Sequence, residues 1–133
     1  MRRRLREIDR RVGLLDAIAS GGRSAFLDDL GLQAQAERHL QLAIQATIDV
    51  ALHVVAESSA ATPETYGLAF VLLADQGVVD QALAARLRQA AGLRNILVHA
   101  YLEVDPSLVW EHLGRLDDLR AFAASVEASL EGD

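Results

Sequence analysis

Apolar residues recur every three or four positions along almost the whole chain, and this spacing is the feature that most limits its fold. The first such run is Leu5, Ile8, Val12, Leu15 and Ile18, which fall on one face of a helix. No segment shows the strict apolar–polar alternation that predicts a half-buried strand. The pattern therefore predicts an all-α protein, an antiparallel bundle of four long helices with one or two short ones.

Glycine, proline and capping residues divide the chain into the predicted helices. After a first helix that ends at residue 20, helices are predicted over 25–30, 32–57, 63–76, 80–102 and 106–130. The residues expected to begin or end them are Gly21, Ser24, Gly31, Thr62, Pro63, Gly77, Asp105 and Pro106, with a bend at Gly92. The predicted buried stripe of the long helix is Leu40, Ile44, Thr47, Ile48, Ala51, Val54 and Val55.

Length and charge limit what the chain does. With 133 residues, 51% of them hydrophobic, residues 1–133 suit one domain. The chain carries a formal charge of −6, and its basic residues are all arginines. Residues 2–11 hold six of these against Glu7 and Asp9, a local +4, so the remainder carries −10. This balance excludes a general nucleic-acid coat protein, and any RNA or DNA must bind a focused site or the basic N-terminal stretch.

Several protein classes are excluded by what the sequence lacks. It contains no cysteine, which excludes a disulfide framework, a cysteine-ligated metal and a thiol nucleophile. The longest apolar stretch, 67–74, is far below the 17 or so residues that a membrane span needs. The basic start lacks the apolar run of a secretion signal. We therefore expect a cytoplasmic protein with no membrane partner.

The segment between positions 92 and 101 is apolar enough to lie in a protein core, except for four polar residues: Arg94, Asn95, His99 and Tyr101. On a straight helix Asn95 and His99 share a face, whereas Arg94 points well away from His99. Either the helix deforms near Gly92, or two copies of the segment meet across a two-fold axis so that one chain's arginine faces the other's histidine. The second arrangement predicts a homodimer.

These side chains suit metal-independent RNA cleavage. Histidine moves protons in either direction near neutral pH, and the arginine fork matches phosphate oxygens. In such a reaction the ribose 2′-hydroxyl attacks the adjacent phosphorus, while His99 assists proton transfer and Arg94 stabilises charge on the phosphate. Asn95 is placed to orient His99 or to bind phosphate. The alternative is structural, with Arg94 as a helix cap or ion-pair partner and with His99 and Tyr101 as partly buried amphipathic residues.

The segment also resembles a known family. Arg94, His99 and Tyr101 match the Arg-x4-His-x-Tyr signature of HepT-like toxins in the HEPN ribonuclease superfamily, and the resemblance extends over about residues 32–115. It implies a dimer in which Arg94 and His99 cut RNA without a metal or other cofactor. Asn95 and Asp49 would support them, with Asp49 turned inward to hold Arg94 or His99. The partner it implies is a minimal nucleotidyltransferase (MNT) antitoxin that transfers AMP to Tyr101.

Other functions remain as alternatives. A HEPN module without catalysis would present a nucleotide or substrate to a nucleotidyltransferase, and a purely structural bundle would leave the polar cluster without a purpose. Asp49, His53 and Glu57 lie four apart and suggest a metal site, but no Glu-x-x-His occurs, which argues against a di-iron bundle. Charged neighbours place His39 and His112 on the surface.

Overall fold

The computed structural model describes residues 1–58, 62–99 and 104–131, and within these ranges the chain is almost entirely α-helical, with no strand. The helices are α1 (Arg2–Ser20), α2 (Arg23–Leu27), α3 (Leu30–Ser58), α4 (Tyr66–Asp75), α5 (Gln81–His99), α6 (Pro106–Leu113) and α7 (Leu116–Glu131). The predicted all-α fold class is confirmed.

Helix α3 is the centre of the bundle and contacts each of the other six helices. Its predicted stripe is buried except for Val54, which is half-buried. The five apolar positions of α1 are buried as well. An edge-on contact between Phe70 and Phe122, whose ring centroids are 5.8 Å apart, joins α4 to α7. Burial of these stripes against one another is the main stabilising term of the fold.

Two helix pairs that matter for the polar segment run antiparallel. Arg11 of α1 binds His39 of α3, and Arg4 lies near Asp49, so residue numbers fall on one helix as they rise on the other. Helix α4 packs against α5, and a side chain added at Gly67 would meet Arg88. The start of α4 therefore lies beside the second half of α5, where the polar segment is found.

The boundaries around α2 differ from the prediction. Ser24 is inside α2, and the N-cap is Gly22, whose φ of 96° is the left-handed backbone that glycine tolerates. Gly31 is inside α3 instead of ending the preceding helix. The carboxylate of Asp29 accepts a hydrogen bond from the backbone N–H of Leu32 at 3.1 Å, and this bond fixes the start of α3.

The start of α4 was also predicted too early. Thr62 was the expected N-cap, but the helix begins at Tyr66 with Thr65 as its cap. The hydroxyl of Thr65 accepts a hydrogen bond from the backbone N–H of Leu68 at 3.2 Å. Both threonines can cap a helix, and the one directly before the unbroken apolar run of α4 does so.

The remaining boundaries follow the prediction except in the last helix. Asp105 caps α6 by accepting from the N–H of Ser107, and Gly77 adopts a φ of 78° after α4. Helix α5 continues through Gly92 as far as His99, and the predicted extension to 102 lies outside the described residues. The single helix expected over 106–130 is divided at Gly114 into α6 and α7.

Helix α3 meets the length and hydropathy criteria for a membrane span, with a mean hydropathy of 1.3 over its most apolar window. Half of that window is buried inside the protein. The short apolar stretches of the sequence had predicted no helix long enough to span a membrane. A helix that contacts all its neighbours in a bundle needs an apolar surface on most sides, and this position accounts for its composition.

Candidate active site

The polar segment occupies the last two turns of α5, which is fastened to the core by apolar residues on its other side. Leu87 and Leu93 are almost completely buried, and this anchors the helix against α3. Arg94 is half-buried, whereas Asn95 and His99 are exposed. The predicted residues therefore lie at an accessible end of a rigid helix. Tyr101 lies outside the described residues.

Three contacts hold the guanidinium of Arg94. Its Nε donates a hydrogen bond to Oε1 of Gln45 at 2.7 Å, and one terminal nitrogen donates to Oδ1 of Asn95 at 3.1 Å. The guanidinium carbon lies 5.3 Å from the centre of the Tyr66 ring, which is a cation–π distance. Arg94 is thus held by residues of α3, α4 and α5.

Asp49 does not contact Arg94 or His99 directly, which corrects the expected arrangement. Its Oδ1 accepts a hydrogen bond from Nε2 of Gln45 at 2.9 Å, and its other oxygen lies 3.7 Å from Nε of Arg4. Gln45 therefore stands between Asp49 and Arg94. A glutamine side chain has both a donor and an acceptor, so it can join a carboxylate to a guanidinium.

Gln45 and Tyr66 are the two site residues that sequence reasoning missed. Gln45 is one helical turn before Asp49 and shares its face, so the i, i+4 rule gave a signal for that pair. Tyr66 contacts Arg94 from a different helix, and no local pattern in the sequence indicates that contact.

Arg94 and His99 of one chain form no hydrogen bond with each other among the contacts of the described residues. They lie on one helix, five residues apart, which separates their directions by about 140°. The side chains next to His99 are unusually apolar for a surface, with Ile96 46% exposed and Val98 37% exposed. An apolar surface beside exposed polar groups is typical of an interaction surface.

A cleft of about 470 Å³ opens next to Arg94, between the start of α4 and the second half of α5. Asn95, which accepts from Arg94, is part of its wall. The other lining residues are Thr65, Tyr66, Gly67, Ala85, Arg88, Gln89, Ala91 and Gly92. The polar groups of this wall are amides, hydroxyls and a guanidinium, which suit a phosphate or sugar better than an apolar ligand.

The alternative metal site does not form. His53 pairs with Glu57 at 3.1 Å, while Asp49 binds Gln45, so the three side chains do not converge. No group of three histidine, aspartate or glutamate side chains is placed to hold a metal ion anywhere in the described ranges.

The two other histidines differ from each other. His112 was expected on the surface, but it is buried, and burial lowers its pKa below the ordinary value. His39 is half-buried, and its Nδ1 lies 2.9 Å from a terminal nitrogen of Arg11. Desolvation and the charge of Arg11 lower the pKa of His39 as well. Neither residue lies on α5 with the candidate site.

Comparison with known proteins identifies relatives over nearly the whole chain. The sequence model of the HepT-like ribonuclease family matches residues 2–126. The mRNA nuclease HepT of Shewanella oneidensis is 32% identical over 109 residues, which are 81% of this chain and 82% of that protein. The tRNA nuclease HepT of Aphanizomenon flos-aquae is 34% identical over 85 residues, 64% of this chain and 58% of that protein.

A solved structure with the same fold is the tri-AMPylated HEPN toxin of Shewanella oneidensis in complex with its MNT antitoxin. The two folds superpose with a TM-score of 0.86 at 29% sequence identity, and the match covers 95% of both chains. The likeness therefore extends well beyond the polar segment of α5.

Proposed function

This chain belongs to the HepT-like ribonuclease family, and from this premise we propose that it is the RNA-cleaving toxin of a HEPN/MNT toxin–antitoxin system, acting in the cytoplasm. Arg94 and His99 are its catalytic residues in this proposal, with Asn95 and Asp49 in support. One observation carries the assignment of Arg94: three side chains from three helices hold its guanidinium at the edge of an accessible polar cleft. None of these three contacts is a carboxylate, so they leave the positive charge of Arg94 for a phosphate.

The proposed reaction needs no metal. The 2′-oxygen of a ribose forms a bond to the adjacent phosphorus, and the bond from that phosphorus to the 5′-oxygen of the next nucleotide breaks. Neutral His99 accepts the 2′ proton, and protonated His99 returns a proton to the leaving 5′-oxygen. Arg94 stabilises the negative charge that develops on the phosphate oxygens. The products are a 2′,3′-cyclic phosphate and a free 5′-hydroxyl.

The proposal includes a homodimer. Arg94 and His99 diverge on one helix, so a second copy is needed to place an arginine from one chain opposite a histidine from the other. The exposed apolar side chains of Ile96 and Val98 flank the site and give such a contact a hydrophobic component. Sedimentation should show a dimer, and Ile96→Asp should shift it toward the monomer and lower cleavage.

The direct test is RNA cleavage by the purified protein in the presence of EDTA, with an mRNA and a tRNA as substrates. We expect His99→Ala to lower the rate about 10²- to 10⁴-fold and Arg94→Ala about 10²- to 10³-fold. Arg86→Ala, also on α5, and His53→Ala are matched controls that should cleave like the parent.

Three results would reject the mechanism or the function. Loss of cleavage in EDTA that a divalent ion restores would reject metal independence. A product without a cyclic phosphate would reject attack by the 2′-oxygen. No cleavage by the parent dimer would favour the alternative, a non-catalytic subunit that binds a nucleotide or substrate for a nucleotidyltransferase.

The cognate antitoxin in this proposal is an MNT nucleotidyltransferase that transfers AMP from ATP to the phenol oxygen of Tyr101 and releases pyrophosphate. The added phosphate carries negative charge, so it should repel RNA and occupy Arg94. Co-expression with the antitoxin and ATP should add AMP groups, seen by mass spectrometry, and suppress toxicity. Tyr101→Phe should remain toxic and escape this control. If the variant is neutralised as well as the parent, the antitoxin acts by binding alone.

A further inference from the structure

The first three turns of α1 carry an unusual density of positive charge. Arg2, Arg3, Arg4, Arg6 and Arg10 are exposed, and Arg11 is half-buried. Three of them, Arg3, Arg6 and Arg10, lie at i, i+3 and i+7 and form a row on the side of α1 that faces away from its buried residues. We call these three residues the arginine row.

The arginine row is unfavourable for the helix that carries it. Arg6 and Arg10 are like charges one turn apart, and cations near a helix N-terminus oppose the helix dipole. No acidic residue lies in the first turn to compensate. Glu7 pairs with Arg10 and Arg11, at 3.7 and 2.6 Å, and so offsets only part of the charge. The buried apolar face of α1 already fastens the helix, so folding gives no reason for the row.

The N-terminal turns of α1 approach the candidate active site through Arg4, while the arginine row lies on the outer side of the same helix. Arg4, on the same helix turns, lies 3.7 Å from Asp49, which is hydrogen-bonded to Gln45 at 2.9 Å. Gln45 in turn accepts from Arg94 at 2.7 Å. Four linked side chains thus connect the basic end of α1 to the catalytic arginine, and the two lie at the same end of the bundle.

The rest of the chain is acidic on balance. Outside residues 2–11 the formal charge is −10, and Arg86, Arg115 and Arg120 are already paired with carboxylates. An RNA strand bound at Arg94 therefore needs a positive surface on at least one side of the cleaved bond to bind the rest of the strand.

We propose that the arginine row binds backbone phosphates of the RNA beyond the nucleotides at the cleaved bond, and so extends the substrate site from α5 across α3 to the outer side of α1. This inference rests on the proposed ribonuclease function. Guanidinium groups recognise phosphate without reading sequence, so the row should contribute affinity and salt dependence but no base preference. It should lower KM more than it raises kcat, because it lies away from the reacting atoms.

The test measures RNA binding separately from cleavage. His99→Ala is the background, so that the dimer binds a fluorescent single-stranded RNA without cutting it, and Kd is measured over a salt series. Replacing Arg3, Arg6 and Arg10 together with glutamine should weaken binding roughly 10- to 50-fold near 0.15 M salt and reduce the slope of log K against log salt by about 2. The matched control replaces Arg23, Arg86 and Arg115 with glutamine, which changes the net charge equally and should alter Kd much less.

A triple lysine variant and the thermal midpoint complete the design. Lysines at the three positions should restore most of the affinity, because the charge returns. The glutamine variant should melt no lower than the parent, since like charges have been removed from the start of a helix.

The proposal is overturned if the two triple glutamine variants bind RNA equally, or if the parent shows no salt-dependent binding. It is also overturned if the row variant loses affinity for the antitoxin but none for RNA, which would make the row a protein contact. Salt-dependent binding through the row in a parent protein that cuts no RNA would instead reject the proposed ribonuclease and keep only the row's contact with RNA phosphates.

Discussion

Replacement of Gln45 by methionine should slow RNA cleavage while the fold stays intact. Methionine has nearly the same length and helix propensity as glutamine, but it cannot accept the hydrogen bond from Nε of Arg94 or donate one to Asp49. The guanidinium of Arg94 would keep its contacts with Asn95 and Tyr66 and lose the one that comes from α3. Its orientation toward the phosphate would therefore become less fixed.

The size of the effect follows from the two bonds that are lost. A hydrogen bond to a charged group contributes about 1.5–3 kcal/mol, and water replaces part of this at a half-buried site. A loss of about 1.4 kcal/mol in the transition state lowers kcat/KM about tenfold. We expect a decrease of roughly tenfold for Gln45→Met, mainly in kcat. Asp49→Asn should have a smaller effect, because Asp49 reaches Arg94 only through Gln45.

The variant Gln45→Glu tests the orientation of the Arg94 guanidinium separately from the charge beside it. A carboxylate at this position still accepts from Arg94, so the guanidinium stays in place, but the added negative charge competes with the phosphate. It also lies one turn from Asp49, and the two carboxylates repel each other. This variant should therefore raise KM, and its defect should grow as the salt concentration falls.

The assay is a set of initial rates on one single-stranded RNA, with kcat and KM determined for each variant. Gln41→Met, one turn earlier on α3, is the matched control and should cleave like the parent. Circular dichroism and sedimentation confirm that each variant is folded and dimeric. Parental kcat/KM for Gln45→Met in a folded dimer would refute the positioning role of Gln45.

Three further predictions concern stability, and unfolding in urea or by heat tests each. Thr65→Ala should lower the free energy of unfolding by about 1 kcal/mol because it removes the N-cap of α4, whereas Thr62→Ala should leave it unchanged. Burial lowers the pKa of His112, so between its folded pKa and about 6.5 the unfolded chain binds a proton that the folded protein does not. Stability should therefore fall as the pH drops below about 6.5, and His112→Gln should make that decline shallower. Phe26→Ala should cost about 3–5 kcal/mol, because the ring is fully buried and packs on Trp110 at 5.5 Å.

Burial along single helices could be predicted from the sequence because it depends on local spacing. All five apolar positions predicted on α1 are buried. The same spacing rule also predicts that His112 is buried, although the residue was expected on the surface. It lies one turn after Leu108 and next to Leu113, on the buried face of α6, but its charged neighbours Glu111 and Arg115 directed the prediction to the surface.

Helix ends were harder to predict because neighbouring residues compete for the same role. Ser24 and Gly22 both suit an N-cap, and the chain uses the glycine, which adopts a positive φ after α1. Thr62 and Thr65 compete in the same way before α4. Capping energies differ by tenths of a kcal/mol among such residues, so the tertiary position of the following apolar run decides.

Only part of the candidate site could be predicted, because some of its residues are neighbours in the sequence and others meet only in the folded protein. Arg94, Asn95 and His99 belong to one short motif, and their order on a helix is visible in the sequence. Gln45 is 49 residues from Arg94 in the sequence. The two side chains meet only because α3 packs against α5 at these positions. The expected partner, Asp49, is one turn too far along α3 to reach Arg94 itself, and it binds the intervening glutamine instead.

A carboxylate in direct contact would neutralise the guanidinium, whereas an amide fixes its direction and leaves its charge for a phosphate. The arrangement in the structure is therefore better suited to anion binding than the one that the sequence analysis expected.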